Sequence, residues 1–314
     1  MQAYTSDRFV LPLPPGHRFP MSKYALLRER VEALSPHIRL AEAPEAQEAE
    51  LLLAHTPRYV SAVLQGLLSA AEQREIGFPW SAWMAERARR SVGASIAAAR
   101  TALTEGVSAN LAGGTHHASA DKGSGFCVFN DVAVAARLMQ AQWHQEHRQL
   151  LRVLVVDLDV HQGNGTADIF REDDTVFTFS MHGARNFPFR KVSSTLDVEL
   201  EDGCDDRAYL AALDEALAEI AQRMKGKPPG LALYLAGADP HEGDRLGRLK
   251  LSADGLAERD RRVLSWLGKR RIPVALSMAG GYGQDIAVTV ALQHRTLDLA
   301  AAAWSNWQAA SLFK

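Results

Sequence analysis

The chain has 314 residues, enough for one large α/β domain or two average domains. With 47% hydrophobic and 23% charged residues, its composition is that of an ordinary globular protein. Lys and Arg number 35 and Asp and Glu number 37, so the formal net charge of −2 argues against a general nucleic-acid binder. The two cysteines exclude a disulfide framework and a cysteine-rich zinc site.

Apolar residues recur at helical spacing along the chain, and they form short continuous runs between the helical segments. The predicted helices are 28–34, 83–103, 132–142, 209–224, 257–269 and an amphipathic, alanine-rich segment at 287–303. The predicted strands are 109–112, which is the weakest, 153–156, 231–235 and 273–276. Strands that are apolar throughout and alternate with helices predict an α/β fold, with a parallel sheet covered by helices on both faces. Because no repeat or long linker interrupts the pattern, we expect one domain spanning 1–314.

The ends of the chain and its hydropathy also bear on where the protein works. The N-terminus has no basic segment followed by an apolar core, so no secretory signal is predicted. A run of about 18 uninterrupted apolar residues, which a membrane span requires, does not occur. We therefore expect a cytoplasmic protein without a membrane span.

Each of the four predicted strands is followed by glycines and by a side chain capable of chemistry. The segments are Gly113-Gly114-Thr115-His116-His117, Asp157-Leu158-Asp159-Val160-His161, Ala236-Gly237-Ala238-Asp239 and Gly280-Gly281-Tyr282-Gly283. In open parallel sheets, ligands bind just beyond the carboxyl ends of the strands. The sequence therefore predicts a functional site built from these four strand ends.

Asp159, His161 and Asp239 are the predicted metal ligands. Two carboxylates and one imidazole, with the other positions left to water or substrate, are typical of an open catalytic zinc site. Asp159 and His161 are two residues apart, so their side chains leave an extended segment on the same side. Helix capping is the alternative role for the two acids; it accounts for one Asp but poorly for Asp-x-Asp-x-His.

The remaining polar residues at the strand ends suit proton transfer and charge stabilisation. The adjacent His116 and His117 would transfer protons, with Asp157 and Asn164 orienting their rings. The hydroxyl of Tyr282, on a glycine-rich backbone, could stabilise a developing oxyanion. The alternatives are a pair of turn histidines and a surface aromatic residue.

Other motifs do not indicate a site. The HxxH spacing at 144–147 differs from the HExxH zinc motif and predicts a solvated helix end. The segment 163–168 lacks the last glycine of a dinucleotide-binding loop. Cys127 is predicted to be a packing residue, and the acidic neighbours of Cys204 would raise its thiol pKa and suppress its reactivity.

Taken together, the motifs resemble those of the histone deacetylase superfamily. The matching blocks are 113–117, 125–131, 157–166, 236–239 and 280–282, and they follow the order of that family across most of the chain. Within it, the closest resemblance is to the class IV branch and its bacterial relatives. That resemblance lies in the stretches 13–21, 187–188, 242–247 and 252–259.

The resemblance implies the three-layer arginase/deacetylase fold, with a central, mostly parallel sheet of about eight strands between helices. It also implies zinc-dependent removal of acyl groups from amines by a metal-activated water. Zinc would be bound by Asp159, His161 and Asp239. The proton-transfer pair would be His116 and His117, backed by Asp157 and Asn164, and Tyr282 would polarise the amide carbonyl.

Two further features follow from the resemblance. Phe126 and Phe187, with Gly125 and Leu246, would line a narrow substrate tunnel. A structural potassium or sodium ion would be held by Asp157, Ser180 and the main-chain oxygens of Asp159, His161 and Met181. A second cation site would lie near Phe170, Asp173 and Val176.

The expected substrate is an acyl-lysine peptide or protein, or a small acylated amine, and not a nucleic acid. Leu246 stands where acetylpolyamine-specific relatives have Glu, so acyl-lysine ranks above polyamines. Pro240 and His241 follow Asp239 where a two-manganese ureohydrolase needs another carboxylate. Three alternatives stay open: a long-chain fatty-acyl-lysine deacylase, an acetylpolyamine or small-amide deacetylase, and a catalytically silent acyl-amine-binding scaffold. The oligomeric state is also open, as is whether the bound metal is zinc or iron.

Overall fold

Strands and helices alternate along most of the chain in the computed structural model, which describes residues 1–14, 16–311 and 313. Pro15, within the stretch 13–21, lies outside the described residues. The strands are β1 Gln2–Thr5, β2 Arg39–Glu42, β3 Val107–Asn110, β4 Val153–Asp157, β5 Val176–Gly183, β6 Leu196–Leu200, β7 Leu231–Leu235 and β8 Val274–Ser277. The helices are α1 Lys23–Leu34, α2 Glu48–Leu51, α3 Pro57–Gln65, α4 Ala70–Ile76, α5 Ala82–Glu105, α6 Asp131–His147, α7 Asn164–Ile169, α8 Asp206–Arg223, α9 Ala253–Lys269 and α10 Ile286–Ala309.

All eight strands join one sheet in the order β2-β1-β3-β8-β7-β4-β5-β6. Every pair of neighbours is parallel. The four strands that precede the predicted site, β3, β8, β7 and β4, are consecutive neighbours. Segments far apart in the chain therefore end side by side at one edge of the sheet.

The central strands are apolar throughout because both of their faces are buried. In β4, Leu154 and Val156 belong to a core formed with α1, α8, α9 and α10, whereas Val153 and Val155 belong to a core formed with α3, α5 and α6. Burying each such side chain contributes about 1.5–3 kcal/mol. The predicted three-layer fold with a sheet of about eight strands is confirmed, and the sheet is wholly parallel.

The structure extends the predicted elements and adds others. Side-chain caps fix many of the helix starts, including those of α6, α8 and α9: Asn130 accepts a hydrogen bond from Ala133 N at 2.9 Å, Asp205 from Ala208 N at 3.0 Å and Ser252 from Gly255 N at 3.0 Å. The sequence pattern did not predict β1, β2, β5 and β6 or the short helices α2, α3, α4 and α7. In β5, polar side chains alternate with apolar ones, so the strand lacks a continuous apolar run.

The motifs set aside above lie where the sequence predicted. The histidines at 144 and 147 are in the exposed last turn of α6. Cys127 is buried, which raises its thiol pKa, and burial together with Asp205 raises the pKa of Cys204. Among the described helices, none combines the length and the apolar character that crossing a membrane requires.

Candidate active site

The three predicted metal ligands meet beyond the ends of β4 and β7. One ligand atom from each of Asp159, His161 and Asp239 lies within 4.8 Å of the other two, and all three residues are buried. His161 Nδ1 lies 2.9 Å from Asp159 Oδ1 and 3.3 Å from Asp239 Oδ2. An imidazole nitrogen and two carboxylate oxygens therefore converge on one point.

Backbone amides hold the two carboxylates in place. Gly280 N donates to Asp159 Oδ2 at 2.7 Å, and Val160 N donates to Asp239 Oδ1 at 2.9 Å. A Cβ atom at position 280 would lie only 1.8 Å from Asp239 Oδ2. Only glycine allows the backbone after β8 to approach the carboxylates this closely.

The donor set fits a divalent cation. Asp239 Oδ2 is buried and has no hydrogen-bond partner among the described residues, because His161 Nδ1 bonds to Asp159 instead. Burial and the neighbouring charge of Asp159 raise the pKa of Asp239 to about 7. A cation bound by these atoms would offset both effects, and an open set of two carboxylates and one imidazole suits zinc.

The two adjacent histidines have different partners. His116 Nδ1 is 2.6 Å from Asp157 Oδ2, and His117 Nδ1 is 2.7 Å from Asn164 Oδ1. The two rings are 4.2 Å apart between centroids. Each Nδ1–H is therefore fixed by its acceptor, which leaves each Nε2 free for chemistry.

These partners separate the two imidazoles electrostatically. Burial opposes charge on His116, but Asp157 and Asp159 outweigh it and raise the His116 pKa to about 9. Burial, followed by the nearby charges of His116 and His161, lowers the pKa of His117 well below its ordinary value. A charged and a neutral imidazole thus lie side by side, one beside a carboxylate and the other beside an amide.

Tyr282 follows β8, and its backbone is held from two sides. Its N–H donates to Asp244 Oδ2 at 2.6 Å, and its carbonyl accepts from Arg245 Nε at 2.9 Å. Burial raises the pKa of the Tyr282 phenol well above 10, so the hydroxyl stays protonated. Its ring centroid lies 6.4 Å from that of His161.

Sequence reasoning missed the residues that hold the Tyr282 loop. Lys23, fully buried, donates from Nζ to Gly281 O at 3.2 Å and lies 5.2 Å from the centre of the Tyr282 ring. Asp244 and Arg245 fall in the stretch 242–247 that carried the family resemblance, which is the one signal that could have found them. For Lys23 the nearest signal was its position just after the stretch 13–21.

The predicted tunnel residues form an opening toward this site. The Phe187 ring stands edge-on to His117 at 4.8 Å, and the Phe126 ring lies 6.0 Å from that of Tyr282. Phe126 has a φ of 67°, which strains the backbone of a residue with a side chain, whereas Gly125 adopts its φ of 52° without strain. Leu246 is held at the opening by Asn186 Nδ2, which donates to its carbonyl at 2.7 Å.

Two spaces adjoin the site. An inner cavity of about 70 Å³ extends behind the ligands and is lined by Leu11, Phe19, Tyr24, Phe78, Met84 and Arg87. An outer cleft of about 1190 Å³ contains Phe126, Phe187, Leu246 and Tyr282 and opens to the surface. The reacting groups therefore lie between a small inner space and a wide entrance.

The residues expected to bind monovalent cations are only partly brought together. Asp157 on β4 and Ser180 on β5 are register partners, and Ser180 Oγ lies 2.9 Å from His182 Nδ1. The main-chain oxygens of Asp159 and His161 follow β4, and that of Met181 lies within β5, so this site stays a prediction. At the second site, the Asp173 carboxylate pairs with Arg137 and accepts from Thr175 N at 2.8 Å.

Behind the metal ligands lies a second buried charged cluster. Arg259 and Asp260 on α9 are each 1% exposed and pair at 2.9 Å. Arg259 also donates to Leu158 O and Gly237 O, which belong to the segments carrying Asp159 and Asp239. Asp260 accepts from Tyr234 at 2.5 Å and from Thr296 at 2.6 Å.

The fold and this site define a protein of the arginase/deacetylase class, and comparisons with known proteins identify its family. Residues 17–297 match the Histone deacetylase domain family. An uncharacterized protein of Picosynechococcus sp. is 44% identical over 280 residues, which cover 88% of this chain and 91% of that protein. Histone deacetylase 2 of Arabidopsis thaliana is 32% identical over 261 residues, covering 80% of this chain and 65% of the plant protein.

Solved structures agree with this. A histone deacetylase homologue from Aquifex aeolicus superimposes with a TM-score of 0.80 at 23% identity, over 95% of this chain and 83% of the other, which shows the shared fold. A homologue in complex with SAHA gives a TM-score of 0.79 at 25% identity, with the same coverage. The chain belongs to the histone deacetylase family, a family of hydrolases.

Proposed function

We propose that the protein is a zinc-dependent amidohydrolase that removes acetyl and other short acyl groups from acylated lysine side chains or related amines. The observation that carries the proposal is the convergence of Asp159, His161 and Asp239 with the histidine pair at the inner end of the tunnel. Residues 1–314 would act as one catalytic domain, since the site draws on strands across the sheet.

The residues have separable tasks in this reaction. Asp159, His161 and Asp239 would hold the zinc ion. When bound, zinc supplies Lewis-acid polarisation of the substrate carbonyl and of the attacking water. Tyr282, kept neutral by burial, donates a hydrogen bond from its hydroxyl to the carbonyl oxygen as negative charge develops there.

The histidine pair would handle the protons. His117 donates its Nδ1–H to the neutral Asn164, so its Nε2 carries a lone pair and accepts a proton from the water. His116 beside Asp157 keeps its positive charge and stabilises the developing negative charge. The proton then passes from the histidine pair to the leaving amine.

The inner cavity bears on acyl length. Its volume of about 70 Å³ corresponds to roughly five water-sized units. This is room for the methyl end of an acetyl group and for short extensions of it, whereas a long fatty chain would require the walls to move. Short acyl groups therefore rank above the long-chain alternative suggested by the class IV resemblance.

The walls of the tunnel bear on the amine. Leu246 offers no charge to attract a polyammonium chain, which supports acyl-lysine over acetylpolyamines. We also propose that Asp157, Ser180 and nearby main-chain oxygens hold a structural potassium or sodium ion. The support is the pairing of Asp157 with Ser180 directly behind the site.

The test is a panel of lysine peptides carrying acetyl, butanoyl and tetradecanoyl groups, together with an acetylpolyamine. Each is assayed with protein as purified, after chelation and after zinc is restored. We expect acetyl-lysine turnover that disappears on chelation and returns with zinc. Preference for the long chain would instead support the fatty-acyl alternative. Zinc-loaded protein that binds these compounds without hydrolysing any of them would make it a binding scaffold.

A further inference from the structure

The outer cleft carries far more positive charge than the rest of the molecule. Three acidic side chains and seven basic ones line it, although the whole chain has a formal net charge of −2. The basic residues are Arg18, Arg74, Lys122, Arg185, Arg190, Arg245 and Arg248. The mouth of the tunnel is thus a local positive region on a slightly acidic protein.

Most of this charge is not neutralised locally. Of the three acidic side chains, Glu75 pairs with Lys122 at 2.8 Å, Asp168 pairs at 2.6 Å with Arg171, and Asp121 accepts from Ser119 Oγ at 3.1 Å. Arg185 and Arg248 share the single carboxylate of Asp202, at 3.9 and 3.1 Å.

The other four basic residues have no such partner. Within the part of the chain that the structure describes, no carboxylate lies within 4.0 Å of Arg18, Arg74, Arg190 or Arg245. All four are exposed, so their charges act on whatever approaches the opening.

The arginines come from separate segments of the chain. Arg74 is in the last turn of α4, Arg190 lies beyond Phe187, and Arg18 adjoins Arg245, whose Nη2 donates to Arg18 O at 3.4 Å. Charge is therefore distributed around the opening rather than focused on one point. Phe189, 86% exposed, adds an apolar contact at the same cleft.

We propose that the outer cleft selects acyl-lysines that are flanked by acidic residues in a peptide or protein. When such a peptide binds in the cleft, its carboxylates would lie near the distributed arginines and its aliphatic side chains would contact Phe189. A compact phosphate would engage donors at one point, and a polyammonium chain would be repelled. This inference rests on the proposed function for its acyl-lysine, but it concerns the surface outside the reacting groups.

Electrostatic attraction at the cleft predicts a specific pattern in KM, in kcat and in the dependence on salt. Attraction between exposed charges raises the rate of encounter and lowers KM, and it leaves kcat nearly unchanged because the rim does not touch the reacting atoms. The Debye length is about 10 Å at 0.1 M salt and about 3 Å at 1 M, so the preference must weaken as salt is added.

The experiment uses three peptides with one central acetyl-lysine, flanked on both sides by Asp, by Ser or by Lys. We expect kcat/KM to be about tenfold higher for the acidic than for the neutral peptide at low salt, and lowest for the basic peptide. The difference should lie in KM and should vanish in high salt. The combined variant Arg18→Gln, Arg74→Gln and Arg190→Gln should lose the preference, whereas Arg207→Gln on the exposed face of α8 should keep it.

Fluorescence anisotropy of the same labelled peptides gives the order of affinity independently of turnover. Equal affinities and equal kcat/KM for the three peptides would overturn the inference. Tighter binding of a small acetylated amine that carries a phosphate group than of the acidic peptide would also overturn it. If the acidic peptide binds best but no peptide is hydrolysed by zinc-loaded protein, the surface assignment stands and the proposed function fails.

Discussion

Two buried charged clusters lie on either side of the segments that follow β4 and β7, and they are built in opposite ways. In the Arg259–Asp260 cluster, each carboxylate oxygen of Asp260 accepts at least one hydrogen bond, from Tyr234, Thr296 or Arg259. In the Asp159–His161–Asp239 cluster, the carboxylate oxygen Asp239 Oδ2 accepts no hydrogen bond from the described residues, and His161 Nδ1 lies 3.3 Å from it. One cluster is closed by its own chain, and the other is open.

The difference separates structure from function. A buried charge that is fully partnered fixes the fold, since removing one partner leaves the other exposed to the full desolvation penalty. A buried carboxylate that lacks a partner is costly unless something outside the chain binds it. The closed cluster therefore holds the loops, and the open one is where a ligand belongs.

Removing the charge of one metal ligand in the open cluster should have the largest effect on zinc binding and turnover. Asp239→Asn keeps the size of the side chain and its acceptor for Val160 N but removes the charge. We expect zinc content to fall well below one per chain and turnover to fall about 10³-fold or more. The free energy of unfolding of the metal-free protein should not fall, because a buried repulsion is removed. Elemental analysis, the acetyl-lysine assay and urea unfolding measure this against Asp254→Asn on the exposed start of α9; full zinc occupancy would contradict it.

Breaking the closed cluster should do the reverse. Asp260→Asn leaves the Arg259 guanidinium buried without a counter-charge and should lower the free energy of unfolding by about 3–5 kcal/mol. The double variant Arg259→Met with Asp260→Asn removes both charges and should recover part of the loss. Urea unfolding of the three proteins tests this, and a double variant less stable than Asp260→Asn would show that the pairing is not what matters.

Two buried tyrosines differ in the same way as the two clusters, since only one of their hydroxyls is hydrogen-bonded within the described chain. The Tyr59 hydroxyl donates to Val128 O at 2.7 Å, whereas the Tyr282 hydroxyl has no hydrogen bond to the described residues. Tyr282→Phe should lower kcat about 10²–10³-fold with zinc content near one per chain and little change in stability. Tyr59→Phe should cost about 1 kcal/mol of stability and leave kcat intact. Unchanged turnover in Tyr282→Phe would remove this residue from the mechanism.

The contrast also explains what the sequence could and could not predict. Asp159, His161 and Asp239 follow apolar strands directly, so a strand pattern and a rule about strand ends suffice to find them. Lys23 could not be found this way, because its partner Gly281 is 258 residues distant and offers only a carbonyl. Contacts to the backbone leave no trace in the residue type of the partner.

The strands also divide into those that the sequence pattern predicted and those that it did not. Both faces of β4, β7 and β8 are buried, so their apolar runs are recognisable, and the sheet around them was predicted. The strand β5 alternates, placing Thr178, Ser180 and His182 on one side, and it pairs with the equally mixed β6. Its position depends on partners from other segments, such as Thr195, whose hydroxyl accepts from Thr178 N at 3.2 Å.

The buried histidine His55 also has both ring nitrogens hydrogen-bonded within the chain, and it makes the stability of the protein depend on pH. His55 donates from Nδ1 to Ser119 O at 3.0 Å, and its Nε2 accepts from Asn130 N at 2.9 Å, so it ties together the two ends of the segment that follows the histidine pair. Protonation would place a hydrogen on Nε2 against the Asn130 N–H. Burial accordingly lowers the pKa of His55 from 6.5 to about 4.

The sign of the pH effect follows from this lowered pKa. Between pH 6.5 and 4 the unfolded chain binds a proton at His55 that the folded chain does not, so stability falls as the pH falls through this window. The contribution amounts to about 2 kcal/mol between pH 7 and pH 5. His55→Gln, compared with His37→Gln at an exposed position, should show a smaller fall in the free energy of unfolding over that range in urea. Equal slopes for the two variants would mean that the proton, unlike the two hydrogen bonds, has no part in holding this closed cluster together.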